Sequence, residues 1–297
     1  MKKKLFIAVI AGLFFSACTK EDTVDMPSFN VTTDKTVYQL GDTVRFNFSG
    51  DADYLSVYTD EAGSKYEYKD RTRADGKVSL SINANLRNSD GTKTLSVLLL
   101  TNLNPLRDSA SVVTAPWKDI SDRFTIPTAN TGSGVPLGTV DITDLVEPNK
   151  PVFFALKFQS LNSVLNVQPR WTITAMNLVN ELPDGIRTTV ASVNQMGWKA
   201  ISVKNPAYNW ITTGGLYTNA PARNSGDTEN WAVSGPLYPD AITRDYPKAI
   251  KDIITVMPRT YEYIYKARGT YKIYFVALNS RNGKSSTITK NVEVTIE

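Results

Sequence analysis

No histidine occurs anywhere in the 297 residues. That absence removes Ser-His-Asp and Cys-His nucleophilic catalysis, HExxH zinc centres and most transition-metal sites together. Chemistry is left to carboxylates, tyrosine, lysine and arginine, or the chain binds without reacting. Cysteine is nearly absent too: Cys18 stands alone, so no internal disulfide can form. A long hydrophobic run is missing as well. The apolar stretch Leu5 to Phe15 stops at eleven residues, short of the ~20 that a spanning helix needs. Charge of one sign is not in excess. Three of the 33 Lys+Arg are Lys2, Lys3 and Lys4, which leaves the rest of the chain near neutral against 29 Asp+Glu. No basic run lies in the body, so nucleic acid and anionic lipid lose their usual electrostatic footprint.

What is there begins with the first 22 residues. Three lysines, the apolar run, the small pair Ser16-Ala17 and Cys18 have the charged head and the hydrophobic length of a secretory signal. The end of the signal resembles a bacterial lipobox, which implies that Cys18 is lipidated and becomes the mature N-terminus. Ordinary cleavage after Ala17 is the alternative, but it puts the bulky Phe15 at a position that favours small residues. At ~0.8 kcal/mol per buried methylene, two or three acyl chains hold a protein on a membrane stably. Residues 1–17 are therefore expected to be the signal peptide and 18–27 a tether. The following Thr19-Lys20-Glu21-Asp22 resembles the lysine-plus-acidic tag of Bacteroidota-type surface lipoproteins. That resemblance implies a lipid anchor in the outer membrane with the body facing the exterior. A plain polar tether is the alternative, since charged residues are common in such segments.

The body reads as strands throughout. Val44, Phe46 and Phe48 alternate with Thr43, Arg45 and Asn47, and Leu55 and Val57 alternate with Tyr54, Ser56 and Tyr58. Later, Tyr261, Tyr263 and Tyr265 share one face, as do Tyr271, Ile273, Phe275 and Ala277. A period of two predicts half-buried strands. Turn signals at Gly41-Asp42, Asp75-Gly76, Asp90-Gly91, Asp184-Gly185 and Asn282-Gly283 divide the chain accordingly. The nearest approach to a helix, Pro239 to Ile254, is interrupted by Pro247.

Two distant segments look like halves of one sandwich. Gly41-Asp42-Thr43-Val44-Arg45-Phe46 and Tyr263-Ile264-Tyr265, followed by Gly269-Thr270-Tyr271 and Asn279, resemble a PKD-type, Ig-like domain. Gly269-Thr270-Tyr271 is similar to a tyrosine corner, whose hydroxyl returns to the backbone. The segment departs from the PKD pattern at Tyr58-Thr59-Asp60-Glu61-Ala62-Gly63, where a WDFGDG-like turn would stand. The material between carries TLSVLLLTNL (94–103), APWKDISDRFTIP (115–127), GTVDITDL (138–145), PVFFALKFQS (151–160), RWTITAMNLVN (170–180), GWKAISV (197–203) and ENWAVSGPL (229–237). These pieces resemble a galactose-binding-like, choice-of-anchor-type jelly roll. With the lipobox, the whole chain resembles an uncharacterised family of Bacteroidota surface lipoproteins found beside glycan-import genes. The expected fold is all-β: an Ig/PKD-like sandwich over 28–75 plus 255–297, with a jelly roll inserted at 76–254. The competing arrangement is sequential, with a complete N-terminal sandwich to about residue 117. Insertion is affordable because loop-closure cost grows only logarithmically with length.

Glycoside hydrolysis needs two carboxylates across a cleft, and Asp119, Asp122, Asp141, Asp144, Glu147, Asp184 and Glu229 are candidates. Asp119, Asp122, Asp141 and Asp144 sit near strand–turn junctions, where Asp ordinarily closes a turn. No catalytic residue is assigned, although a carboxylate-only glycosidase or lyase stays open. No cofactor and no metal ligand set is expected. A structural calcium, which similar jelly rolls often carry, stays open, but no dense D-x-D-x-D loop is present.

All five tryptophans lie between 117 and 231. Trp171 alternates with Ile173 and reads as core. Trp117, Trp231 and Trp198 are also assigned to packing. Trp210 differs, because it stands in an aperiodic stretch, Asn205 to Tyr217, and functional aromatics concentrate on such loops. Tyr208, Asn209, Trp210, Tyr217 and Arg223 are therefore the expected ligand-binding residues, an aromatic floor with polar edges. The resemblance implies a non-catalytic, cell-surface glycan-binding lipoprotein of a polysaccharide-uptake system. Its expected partners are a polysaccharide or oligosaccharide, the outer membrane and outer-membrane importer proteins, with no nucleic acid. The alternative is a surface protein-binding module, an adhesin or a structural part of an import complex.

Overall fold

The alternating segments fold as strands. The computed structural model describes residues 23–103 and 107–297. The signal peptide, Cys18 and the Thr19-Lys20-Glu21-Asp22 tag lie outside the described residues. In chain order the first strands are β1 (Asn30–Thr33), β2 (Val37–Tyr38), β3 (Val44–Ser49) and β4 (Tyr54–Tyr58). The middle of the chain gives β5 (Lys77–Arg87), β6 (Leu95–Leu100), β7 (Lys118–Asp119), β8 (Val135–Asp141), β9 (Phe153–Ser160) and β10 (Arg170–Glu181). It continues with β11 (Arg187–Ser192), β12 (Lys199–Lys204), β13 (Trp210–Ile211), β14 (Leu216–Thr218) and β15 (Thr228–Val233). The last strands are β16 (Lys248–Lys251), β17 (Thr260–Tyr263), β18 (Gly269–Arg281) and β19 (Lys284–Ile296). One α-helix, α1 (Ser109–Thr114), occurs among the described residues. No helix there is long and apolar enough to cross a membrane. The protein is all-β.

The chain forms two compact units, residues 23–60 with 247–297, and residues 61–246. The first is a sandwich of the sheet β1-β3-β17 against β16-β4-β18-β19-β2, as in Ig-like folds. Val44 and Phe46 of β3, Leu55 and Val57 of β4, and Ile273, Phe275 and Ala277 of β18 form its core. The tyrosines stack into it. Tyr265 is fully buried and donates its hydroxyl to the Thr59 carbonyl (3.0 Å). The Tyr271 hydroxyl returns to Ala267 O (2.9 Å), the backbone closure read from Gly269-Thr270-Tyr271.

The second unit packs β13-β14-β10-β5-β8, with β11 on β10, against β12-β15-β9-β6-β7. In β5, Val78, Leu80, Ile82, Ala84 and Leu86 point inward at every second residue. They meet Trp171, Met176 and Leu178 of β10 and Phe154, Leu156 and Phe158 of β9. A continuous apolar run, by contrast, marks a strand buried on both faces. That is β9: Phe153 and Ala155 face outward into a smaller core with Leu98, Leu100, Trp231 and Val233. Val112 of α1 covers this core. Asp108 caps the helix by accepting from Ser111 N–H (2.7 Å), as an Asp N-cap should.

The unit boundaries fall at 60/61 and 246/247, not at 75/76 and 254/255. Two pairings account for the difference. Residues 248–251 pair with β4 and so join the first unit. Residues 61–75 run beside 238–246, through Ala74 N–H to Asp240 O (2.9 Å) and Ile242 N–H to Thr72 O (3.0 Å). The buried Asp245 carboxylate accepts Lys65 N–H (2.8 Å).

Candidate functional site

The Asn205–Tyr217 stretch is more regular than its sequence suggests. Trp210 and Ile211 form β13, which pairs with β14 in the register Trp210↔Thr218 and Ile211↔Tyr217. Alternation then sends Trp210, Leu216 and Thr218 inward and leaves Ile211 and Tyr217 on the other face. Trp210 is 3% exposed, sits in the main core, and donates its indole N–H to Asn230 O (3.1 Å). Its ring offers no face to a ligand, so the expected aromatic floor of Trp210 and Tyr217 does not exist.

The preceding turn is equally tied down. Fully buried Asn230 donates to Asn205 O (3.3 Å) and Tyr208 O (3.2 Å), while Asn205 donates to Ser225 O and Thr228 Oγ1 (3.1 Å each). Tyr208 and Asn209 are half-buried, and Asn209 spends its side-chain oxygen on Trp210 N–H (2.8 Å). Arg223 is exposed on the loop between β14 and β15. None of the five expected residues lines the open site nearby, and Tyr217 meets it only through its neighbours Gly215 and Leu216, which do. Its ring lies against Gly215, where an added Cβ would meet it at 3.5 Å, and the Arg170 guanidinium stands 5.1 Å from its centre.

That site is a groove of about 590 Å³ lined by Val193, Asn194, Gly197, Trp198, Thr212, Thr213, Gly214, Gly215 and Leu216. One wall is the turn from β11 into β12. Ser192 and Gln195 form a capping box around the 3-10 turn Val193–Gln195, and the Trp198 indole N–H donates to Val193 O (2.7 Å). Met196 is fully buried and accepts Gly235 N–H (2.7 Å). Behind this wall, Arg107 donates to Gly197 O (2.7 Å) and Val233 O (3.2 Å), and burial lowers its guanidinium below the usual value. The other wall is the β13–β14 turn. Gly214 and Gly215 hold φ of +73° and +152° there, conformations that a side chain would strain.

Trp198 is half-buried, packed against the core and lining the groove. Sequence reasoning placed it in the core, since it precedes a strand much as Trp171 lies in one. The distinguishing feature is that β12 is an edge strand, where the sandwich opens.

Six of the seven candidate acids, all but Asp122, are otherwise engaged. Asp119 and Asp184 accept backbone amides two residues on (2.8 and 3.2 Å). Asp141 is held below the usual carboxylate range by the Thr143 hydroxyl and amide. Asp144 makes a two-pronged pair with Arg123 (2.8 and 2.7 Å), which lowers its pKa. Glu147 pairs with Lys150, and Glu229 with Lys157 (3.5 Å) and the Trp231 indole (3.2 Å). Among the described residues, no group of three or more acids or cysteines is placed to hold a metal ion.

Residues 17–198 match the family described as Domain of unknown function (DUF5017). The chain belongs to this family. The matched span takes in the Val193–Trp198 wall and ends before the Thr212–Gly215 wall. No curated protein matches. One similar solved structure is the cryo-EM reconstruction of native E. coli alpha-2-macroglobulin, 12% identical over 90% of this chain. This chain spans 16% of that one, at a TM-score of 0.09.

Proposed function

We propose that this DUF5017 protein is a non-catalytic glycan-binding lipoprotein of the cell surface, holding polysaccharide for an outer-membrane importer. Lipidation at Cys18 and the acidic tag after it support the location. The observation that carries the ligand class is Trp198: a partly buried indole lining an open groove with hydroxyl and amide groups around it. Sugars present flat C–H faces with hydroxyls at the rim. An aromatic ring covers the face, and a few polar groups fix the orientation. Asn194, Thr212 and Thr213 supply both donors and acceptors, which hydroxyls require. The Gly214-Gly215 backbone brings main-chain groups close to the ligand without a side chain in the way.

The test is a migration screen of the mature chain through gels containing host and dietary polysaccharides, with product analysis on each hit. Retention on one glycan class without cleavage is the expected result. Cleavage would assign the chain to the hydrolases or lyases instead.

A second reading, a protein-binding surface module, is favoured by a separate feature. Leu161, Val164 and Leu165, on the loop between β9 and β10, are 75%, 67% and 76% exposed. Clustered exposed apolar side chains mark interaction surfaces. Retention on no glycan would move the assignment to this reading.

A further inference from the structure

The first unit carries its own exposed apolar tip, on the loop from β16 to β17. Ile254 is 88% exposed, Val256 91% and Ile253 53%. The tip is held by a closed turn and is not a floppy strand of chain. Thr255 N–H donates to Asp252 Oδ1 (3.0 Å), and Asp252 N–H donates back to Thr255 Oγ1 (3.1 Å). Beneath it, the buried Lys251 ammonium donates to Asp53 O (2.9 Å) and Asp252 O (3.0 Å). A fixed turn that presents branched aliphatic side chains to water calls for an occupant.

Its place in the fold names one. Lys251 pairs with Leu55, whose strand pairs with β18 at Ala277, so the loop leaves the sandwich at the end where β18 turns into β19. The N-terminal tether leaves from that same end. Asn279 donates to Asp25 O (3.0 Å), and Ser286 donates to Met26 Sδ (2.8 Å). Seven Cα–Cα steps separate Cys18 from Asp25. Fully extended they reach no more than about 25 Å. The opposite end, where Leu40 N–H meets Glu297 O, lies roughly 33 Å further along β18 from Asn279 at ~3.3 Å per residue.

We propose that the Ile253-Ile254-Val256 tip seats in the bilayer surface beside the lipid anchor and fixes the orientation of the first unit on the membrane. This rests on the reading of Cys18 as acylated. The rim mixes Arg259, Arg281 and Lys284 with Asp25, Asp51 and Asp252, all exposed. Burial of the aliphatic side chains, not net charge, is therefore the driving term.

The test uses the full acylated chain in phosphatidylethanolamine–phosphatidylglycerol vesicles doped with a nitroxide-tagged lipid. Ile254→Cys and Leu40→Cys are labelled singly with a polarity-sensitive fluorophore, each on an exposed site. A blue shift and loss of emission at position 254, with neither at position 40, is the expected result. Equal loss at both positions, or loss at neither with the chain still on the vesicles, overturns the proposal. The second of these outcomes assigns the tip to a protein partner. The mass of the mature N-terminus is read on the same sample. An unacylated Cys18 removes the anchor and the proposal together, and is distinct from an anchored chain whose tip stays in water.

Discussion

Trp198 and Trp210 stand twelve residues apart in sequence and meet opposite fates in space. Trp210 is fully packed, so Trp210→Ala should cost about 3–5 kcal/mol in urea unfolding, the usual loss for a buried aromatic. Trp198→Ala, on a half-buried ring, should cost less while removing the ligand's platform. Trp171 was legible as core because its neighbours alternate over a long strand, and its indole does end on Thr94 Oγ1 (3.0 Å) inside the sandwich. Trp210 was not, because β13 has two residues and gives periodicity nothing to work on. Asp245 was invisible for another reason. Its partners, Lys65 N–H at 2.8 Å and the Arg71 guanidinium at 3.8 Å, are far away in sequence. Asp245→Ala should cost about 1–3 kcal/mol, because the Lys65 amide loses its acceptor and the partly buried Arg71 its counter-charge. Chemical denaturation of the variant measures it.

The elements that the sequence disclosed are alternating ones: β3, β4 and β18. The helix α1 was missed because six residues, two of them valine, are too few to show a 3.6-residue period. The placement of 61–75 was missed because its hydrogen bonds go to 240–246 across the whole second sandwich. Turns carry constraints that only coordinates reveal. Gly50 closes the β3–β4 turn at φ +84°, and a Cβ there would stand 1.5 Å from Ser28 O. The backbone at Ser28, just before β1, would have to move and give up its bond to Asp51 O (3.1 Å). Gly50→Ala should therefore destabilise the first unit by about 2 kcal/mol or more, visible as a lowered thermal midpoint. The groove was half legible. Thr212-Thr213-Gly214-Gly215 stood out as aperiodic and does form one wall, whereas the facing wall comes from a turn that looks like any other strand connection.

At the scale of the whole molecule, the missing histidines predict a flat response to pH. Between about pH 5 and pH 8, histidine is the only side chain that titrates at its ordinary pKa. The depressed carboxylates act lower. Asp42, Asp108, Asp141 and Asp144 all lie below their ordinary value of 3.8, held by neighbouring amides, hydroxyls, Lys35 and Arg123. A depressed carboxylate stabilises the fold above that ordinary value and loses its contribution as pH falls through the folded one. The thermal midpoint should hold steady from about pH 8 to pH 5 and decline only below about pH 4, shallowly, because these groups are exposed. The proposed glycan binding places a sugar face in the Trp198 groove. Calorimetric titration of the retained glycan into the wild-type chain, Trp198→Ala and Trp210→Phe tests it most directly. Trp198→Ala should lose about 2 kcal/mol, roughly thirtyfold in affinity, while Trp210→Phe should bind as the wild type does. A folded Trp198→Ala protein that keeps wild-type affinity would contradict it.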